Sequence, residues 1–456
     1  MLTSALAAPL PAPDAFAVIT LPVPEPAPPA LSLPDLLFWW APRDGGEVAG
    51  LGVAAEITAR GADRFADLER RGAELLARVA AVREPPGAPP WTPRLYGGLA
   101  FAPGAADAAP WSDFGDAWFA LPRVLYRREG RRAWLSVVVD GSAGAAARER
   151  ALAEAQAMVA SLGAQPAERR AAPAALRGMR QLDPAVWRDR VARIRAAISD
   201  GACEKIVYAR RTELDLAAPV DARSMLERLD ARHPTCFRFA FRRGAALFTG
   251  ASPERLVARR GDVVESEAMA GSIAGGAGAA AGAGRDEGGA ARALLDSGKD
   301  RGEQEMVARA LVRALSPLCR SLAVAPAPEV RALRDVLHLW TPLRGELARP
   351  LHVLELAAAL HPTPAVGGEP TAAALAWIAG HEQAPRGWYA GPVGWFDAAG
   401  DGELAVAIRS GLVTGERAYA WAGAGIVSES DPEAEYAETG LKQRALLDVL
   451  GVEAGG

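Results

Sequence analysis

The feature that most constrains this chain is a series of short apolar runs separated by turn-forming residues between positions 206 and 258. Ile206 to Leu214, Phe237 to Arg242, Ala246 to Thr249 and Arg255 to Ala258 have strand length and are rich in β-branched and aromatic residues. A basic turn separates the second run from the third, so the pattern predicts an antiparallel sheet laid out as a β-meander. Just upstream, Trp187, Val191, Ile194 and Ile198 recur at the period of one helix face, and Gly201 supplies a stop. Residues 31–140 alternate apolar runs such as LLFWW with turns rich in Gly, Pro and Asp, which predicts a β-rich part with one helix over 63–82. Residues 141–180 read as a surface helix and a connection through 171–174, the best internal boundary. The motifs that can carry chemistry fall in 181–452.

The first thirty residues are apolar but studded with proline and lack a basic opening, so they are expected to form a disordered lead-in rather than a secretory signal. No stretch reaches the roughly 18 uninterrupted apolar residues that a membrane span needs. Fifty-one basic against fifty-five acidic residues leave a net charge of -4, so no positive field draws the chain to nucleic acid or an anionic membrane. A small-molecule substrate is the better expectation. Three widely spaced cysteines, Cys203, Cys236 and Cys319, make neither a disulfide framework nor a zinc site, which suits a reducing cytoplasm.

Several carboxylates stand in polar clusters beside glycines: Glu254 in GASPERL, Glu303 in KDRGEQE, and Glu435 with Glu438 in EAEYAET. Hard cations such as magnesium take oxygen ligands of this kind, and residues three apart share a helix face. Solvated surface charge is the plainer reading of such a pair. Lys205 opens an apolar strand, where burial would favour the neutral amine, the form that acts as a base. Arg386 and Arg409 can each grip a carboxylate, and Tyr389 offers a neutral hydroxyl. His338 and His361 lie in apolar surroundings and read as structural histidines. No HExxH, GxSxG or complete dinucleotide fingerprint is present, which sets aside zinc hydrolases, serine hydrolases and a Rossmann domain. The Gly/Ala-rich stretch 274–291 reads as a surface loop.

Read in order, KIVYARR (205–211), GASPERL (250–256), ESEAMAGS (265–272), SGKDRGEQ (297–304), LHPTPAVGG (360–368), RGWYAGPVGW (386–395), GELAVAIRS (402–410), AGAGIV (422–427) and EAEYAETGLK (433–442) resemble the chorismate-utilising enzymes over about residues 181–452. LHPTPAVGG with RGWYAGPVGW looks most like the isochorismate synthase branch. The resemblance implies an α/β fold of the α+β type, with two large antiparallel β-sheets packed as a sandwich and flanked by helices. It implies that Lys205 activates water as the base at ring carbon 2, that Glu254 protonates the departing 4-hydroxyl, and that Glu303, Glu435 and Glu438 hold Mg2+ against the ring carboxylate. It also implies that the enolpyruvyl carboxylate meets Tyr389, Arg409 and the backbone of an AGAG turn at Gly423 and Gly425. Gly271, Ser272, Gly391 and His338 match positions near the substrate. The product would feed menaquinone or siderophore biosynthesis.

Three departures stand out. The segment after AGS runs SIAGGAG where family members often carry a basic pair, and Gln304 replaces a histidine beside the metal-site glutamate. Ala270 stands where aminodeoxychorismate synthases carry a nucleophilic lysine. Lys205 argues against anthranilate synthase, so no glutaminase partner is expected; a salicylate synthase, which also eliminates pyruvate, is the nearest rival, and a non-catalytic chorismate-binding protein the more distant one.

Overall fold

The computed structural model describes residues 15–33, 35–83, 92–140, 145–162, 175–275, 287–334 and 336–452. Its described strands join into one hydrogen-bonded network of 21 strands. The pairings are antiparallel, save that Phe16–Val23 runs parallel to Val79–Arg83. The expected antiparallel sheets with flanking helices are therefore present, and they share edges.

The strand foreseen from residue 206 runs from Lys205 to Leu216. Its first half is buried on both faces and its second half alternates, which is why KIVYAR reads as a continuous run and TELDL as a polar-apolar alternation. It lies antiparallel to Arg417–Ile426, from Asp215 opposite Arg417 to Ile206 opposite Ile426. The meander is corrected here. Phe237–Arg243 and Ala246–Ser252 do form a hairpin, but helix Ala222–Arg232 separates the first strand from that hairpin. Arg255–Arg260 pairs instead with Val263–Ala274 and Gly402–Val406. Strands buried on both faces need neighbours on both edges, and the C-terminal half of the chain supplies them.

The lead-in is also corrected. Phe16–Val23 is a strand paired along its length with Arg132–Asp140, because Phe16, Val18, Ile19, Leu21 and Val23 are buried there. Residues 1–14 and the expected boundary at 171–174 lie outside the described residues. So does 276–286 of the Gly/Ala stretch, while 287–291 opens helix Glu287–Asp296, where alanine and leucine favour the helix over a loop. The other expected helices are Arg64–Ala77, Ala145–Leu162 and Pro184–Ser199, the last burying Trp187, Val191 and Ile194.

An aromatic core lies behind the Arg417–Ile426 strand. Trp111 packs 5.1 Å from Phe248 and 5.2 Å from Trp421, Phe114 packs 5.0 Å from Trp388, and Tyr389 stacks on Trp421. Each such ring contributes about 1.5–3 kcal/mol by leaving water. The core joins the N-terminal strands to the C-terminal ones and gives the cavity a rigid floor.

Candidate active site

Two helices carry the acidic motifs. Ser297 caps Gly298–Leu315 by accepting from the Asp300 N–H, which fixes where the helix begins and puts Lys299 and Glu303 on one face, one turn apart. Asp431 caps Pro432–Leu450 by accepting from the Ala434 N–H, with proline at the first turn and Gly451 in the left-handed conformation at the far end. Glu435, Glu438 and Lys442 therefore share a face. Both faces look into a cavity of about 340 Å³. Of the candidate site residues from the sequence, Glu254, Gly271, Ser272, Glu303, His338, Arg386, Tyr389, Arg409, Gly423, Gly425, Glu435 and Glu438 line it, whereas Lys205, Gly391 and His361 do not. Gly391 serves packing: a Cβ there would sit 2.1 Å from the Leu99 carbonyl oxygen. The half-buried His361 ring lies against Phe65 and Phe101, with Nε2 at 2.9 Å from the Phe101 carbonyl.

Lys205 is fully buried, with Nζ 2.8 Å from Glu303 Oε1. Lys299 pairs with Glu435 at 2.6 Å and Lys442 with Glu438 at 2.5 Å. Sequence reasoning passed over Lys299 and Lys442, although both sit inside the quoted motifs. Each reads as an ordinary surface lysine on a helix; the signal that could have found them is their one-turn spacing from Glu303 and Glu438.

The carboxylates differ in proton affinity. Burial pushes Glu254 up to about 8, with the nearby Glu267 charge adding to it and Lys205 and Lys442 opposing. Its Oε1 has no hydrogen-bond partner. Burial would also raise Glu438, but Lys442 and the Ser272 hydroxyl hold it down at about 2. Glu435 is raised by burial and by the charge of Glu438, against the pull of Lys299 and the Ser430 hydroxyl.

Gly271 sits at a bulge in Val263–Ala274 with φ +68°, a backbone angle that suits glycine. Its carbonyl accepts from His338 Nδ1 at 3.2 Å, and Arg409 donates to His338 Nε2 at 3.0 Å. These two bonds define the neutral ring with its proton on Nδ1. The same ring is driven down to about 3 by burial and by the Arg409 charge. Arg409 itself adopts φ +52°, an uncommon angle for a residue with a side chain.

Arg386, expected as a carboxylate grip, is committed elsewhere. It donates to Glu382 and to the carbonyls of Val207 and Val366, so it locks the wall instead. Gln304 likewise ties its helix to the neighbouring strands, accepting from Ala270 N–H and donating to Ala268 and Thr341.

The AGAG segment is corrected from a turn to the end of strand Arg417–Ile426. Glycine makes room there for two side-chain ends: a Cβ on Gly425 would lie 2.6 Å from both Glu303 Oε1 and Lys205 Cε. Tyr389, pushed up to about 12 mainly by burial, shares a hydrogen bond with the Gly423 backbone.

Three carboxylates around one cavity form an all-oxygen donor set suited to a hard divalent cation. Among the described residues, no three His, Cys, Asp or Glu side chains already stand in a common ligand geometry. Each carboxylate faces a lysine instead of a shared centre, so the fit to a cation is one of donor chemistry, oxygen to a hard ion. No helix among the described residues is long and apolar enough to cross a membrane.

A family model described as "Chorismate binding enzyme" matches residues 32–451. A protein of Pseudomonas aeruginosa named "Salicylate biosynthesis isochorismate synthase" is 38% identical over 92% of this chain and 85% of its own length. An isochorismate synthase of Bacillus subtilis is 32% identical over 79% of this chain and 75% of its own. Among solved structures, the menaquinone-specific isochorismate synthase of Escherichia coli superposes with a TM-score of 0.79 at 27% identity, covering 98% of both chains. Anthranilate synthase component I of Streptococcus pneumoniae shares the fold, with a TM-score of 0.69 at 21% identity over 88% of this chain and 92% of its own.

Proposed function

Because this chain belongs to the chorismate binding enzymes, we propose that it is an isochorismate synthase, an isomerase that converts chorismate to isochorismate. The observation that supports this reading most directly is a buried Glu254 that lines the cavity and favours its protonated form, together with a fully buried Lys205 whose Nζ meets the cavity-lining Glu303. A base and an acid at the same pH are what the reaction needs.

In this reading Lys205 takes a proton from water as the water oxygen bonds to ring carbon 2. Both ring double bonds shift, from carbons 1 and 2 to carbons 1 and 6 and from carbons 5 and 6 to carbons 4 and 5, the bond from carbon 4 to its hydroxyl breaks, and Glu254 gives its proton to the departing oxygen. One water enters and one leaves, so the formula is unchanged. Arg409, aimed by its bond to His338, and Tyr389 would receive the enolpyruvyl carboxylate, with the backbone of Gly423 and Gly425 alongside. Glu303, Glu435 and Glu438 would hold Mg2+, which when bound neutralises the ring carboxylate and fixes the ring.

The test is to incubate the protein with chorismate and Mg2+, with and without ammonium, and to identify products by chromatography and proton NMR. Isochorismate in equilibrium with chorismate, and absent under chelator, is the expected result. Salicylate with pyruvate would make the chain a salicylate synthase, an aminated ring would move it toward anthranilate synthase, and no turnover would leave a chorismate-binding protein.

A further inference from the structure

Behind Glu254 lies a second buried charge group that the reading above does not use. Glu267, 2% exposed, accepts from Arg43 at Oε2, 3.0 Å away, and pairs its Oε1 charge with the same guanidinium at 2.6 Å. Arg331 donates to the same Oε2 at 2.8 Å, and the Trp340 indole N–H donates there as well. The guanidiniums then reach past Glu267 to one further acceptor, the carbonyl of Pro253, Arg43 at 3.3 Å and Arg331 at 3.5 Å. Pro253 immediately precedes Glu254. The three residues come from three places in the chain: Arg43 follows strand Leu36–Ala41, Glu267 lies in Val263–Ala274, and Arg331 lies in Glu329–Ala332.

We propose that Arg43, Glu267 and Arg331 form a clamp that positions Glu254 for proton delivery to the departing hydroxyl. The inference rests on Glu254 serving as the acid. Stability alone does not account for the group, because a buried ion triad is commonly replaced by apolar side chains without loss. Its placement does account for it. Glu254 has its own N–H on the Ser252 hydroxyl and its carbonyl on the Val406 N–H, and the clamp fixes the peptide before it. Only the side chain is left to move. The groups facing that side chain are Glu267 from one strand, Lys205 from another and Lys442 from the C-terminal helix. Glu267 is the one that favours the proton on Glu254, and it also screens the two guanidiniums. Removing its charge therefore acts twice in the same direction, toward an ionised Glu254 that cannot donate.

The test is Glu267→Gln, read by the titration of the Glu254 carboxyl in 13C-glutamate-labelled protein, assigned by its loss in Glu254→Gln. The midpoint should fall by about one unit or more, and the alkaline limb of the kcat profile should fall with it. The KM for chorismate should stay within about twofold. A folded Glu267→Gln with the wild-type midpoint and wild-type kcat overturns the proposal. Arg43→Lys keeps the charge but loses the two-pronged grip, and decides the matter if the first variant does not fold. There kcat should drop about tenfold at unchanged KM, because an acid displaced by a fraction of an ångström still binds but donates poorly; an unchanged kcat overturns the clamp. If Glu254→Gln itself retains full turnover, the acid assignment fails, while the NMR midpoint still reports whether Glu267 acts on Glu254.

Discussion

The two walls of the cavity treat their carboxylates in opposite ways. On the wall made of strands, Glu254 is buried with one oxygen unpartnered and is pushed up to about 8. On the wall made by the C-terminal helix, Glu438 is also buried, yet Lys442 and Ser272 hold it down at about 2. Burial is common to both, so the partners decide. Glu254, with one oxygen lacking a donor, keeps its proton and can give it away, whereas Glu438, with an ammonium and a hydroxyl and the second carboxyl Glu435 beside it carrying the raised value, keeps its charge. The strand wall carries the acid and the helix wall carries the Glu438 charge.

The contrast can be broken most visibly on the strand wall. Glu254→Gln should cut turnover by about 10²–10⁴-fold while Mg2+-dependent chorismate binding persists, and Lys205→Ala should do the same. Calorimetric binding beside a turnover assay checks both halves, and wild-type turnover in either variant would refute its role. Stability sharpens the same point. A carboxyl raised from 4.5 to about 8 binds its proton more tightly in the folded state. Its contribution is fully present below the unfolded value and is lost as pH rises through 8. Relative to Glu254→Gln, the wild type should therefore lose up to about 4–5 kcal/mol between pH 4.5 and pH 9. Urea titrations of both proteins across that range would show parallel curves if Glu254 were unperturbed. On the helix wall the expected effect is smaller: Glu303→Gln or Glu435→Gln should raise the Mg2+ needed for half-maximal activity about tenfold or more. An unchanged metal titration in both variants would remove these residues from the metal site.

Much of the strand wall was legible as strands and little of it as a sheet. KIVYAR announces itself by an unbroken apolar run, but its partner is the strand at 417–426, and no local pattern names a neighbour more than two hundred positions away. The N-terminal strand was hidden by the prolines around it, since proline reads as a breaker even where apolar residues on one face go to the core. AGAG read as a turn because glycine and alanine usually mark one; here small residues let Lys205 and Glu303 approach the backbone. The carboxylates came from ordered motifs, and the structure gathers them at one cavity. Their lysine partners and the Arg43 clamp depend on which helix faces which strand, so they became visible only in three dimensions.

The glycine at 425 has a consequence for how this chain tolerates change. A single methyl group there would press on the proposed base and on a proposed metal ligand together. An alanine at 425 would thus shift the ends of both side chains while leaving every charged group of the site in the sequence.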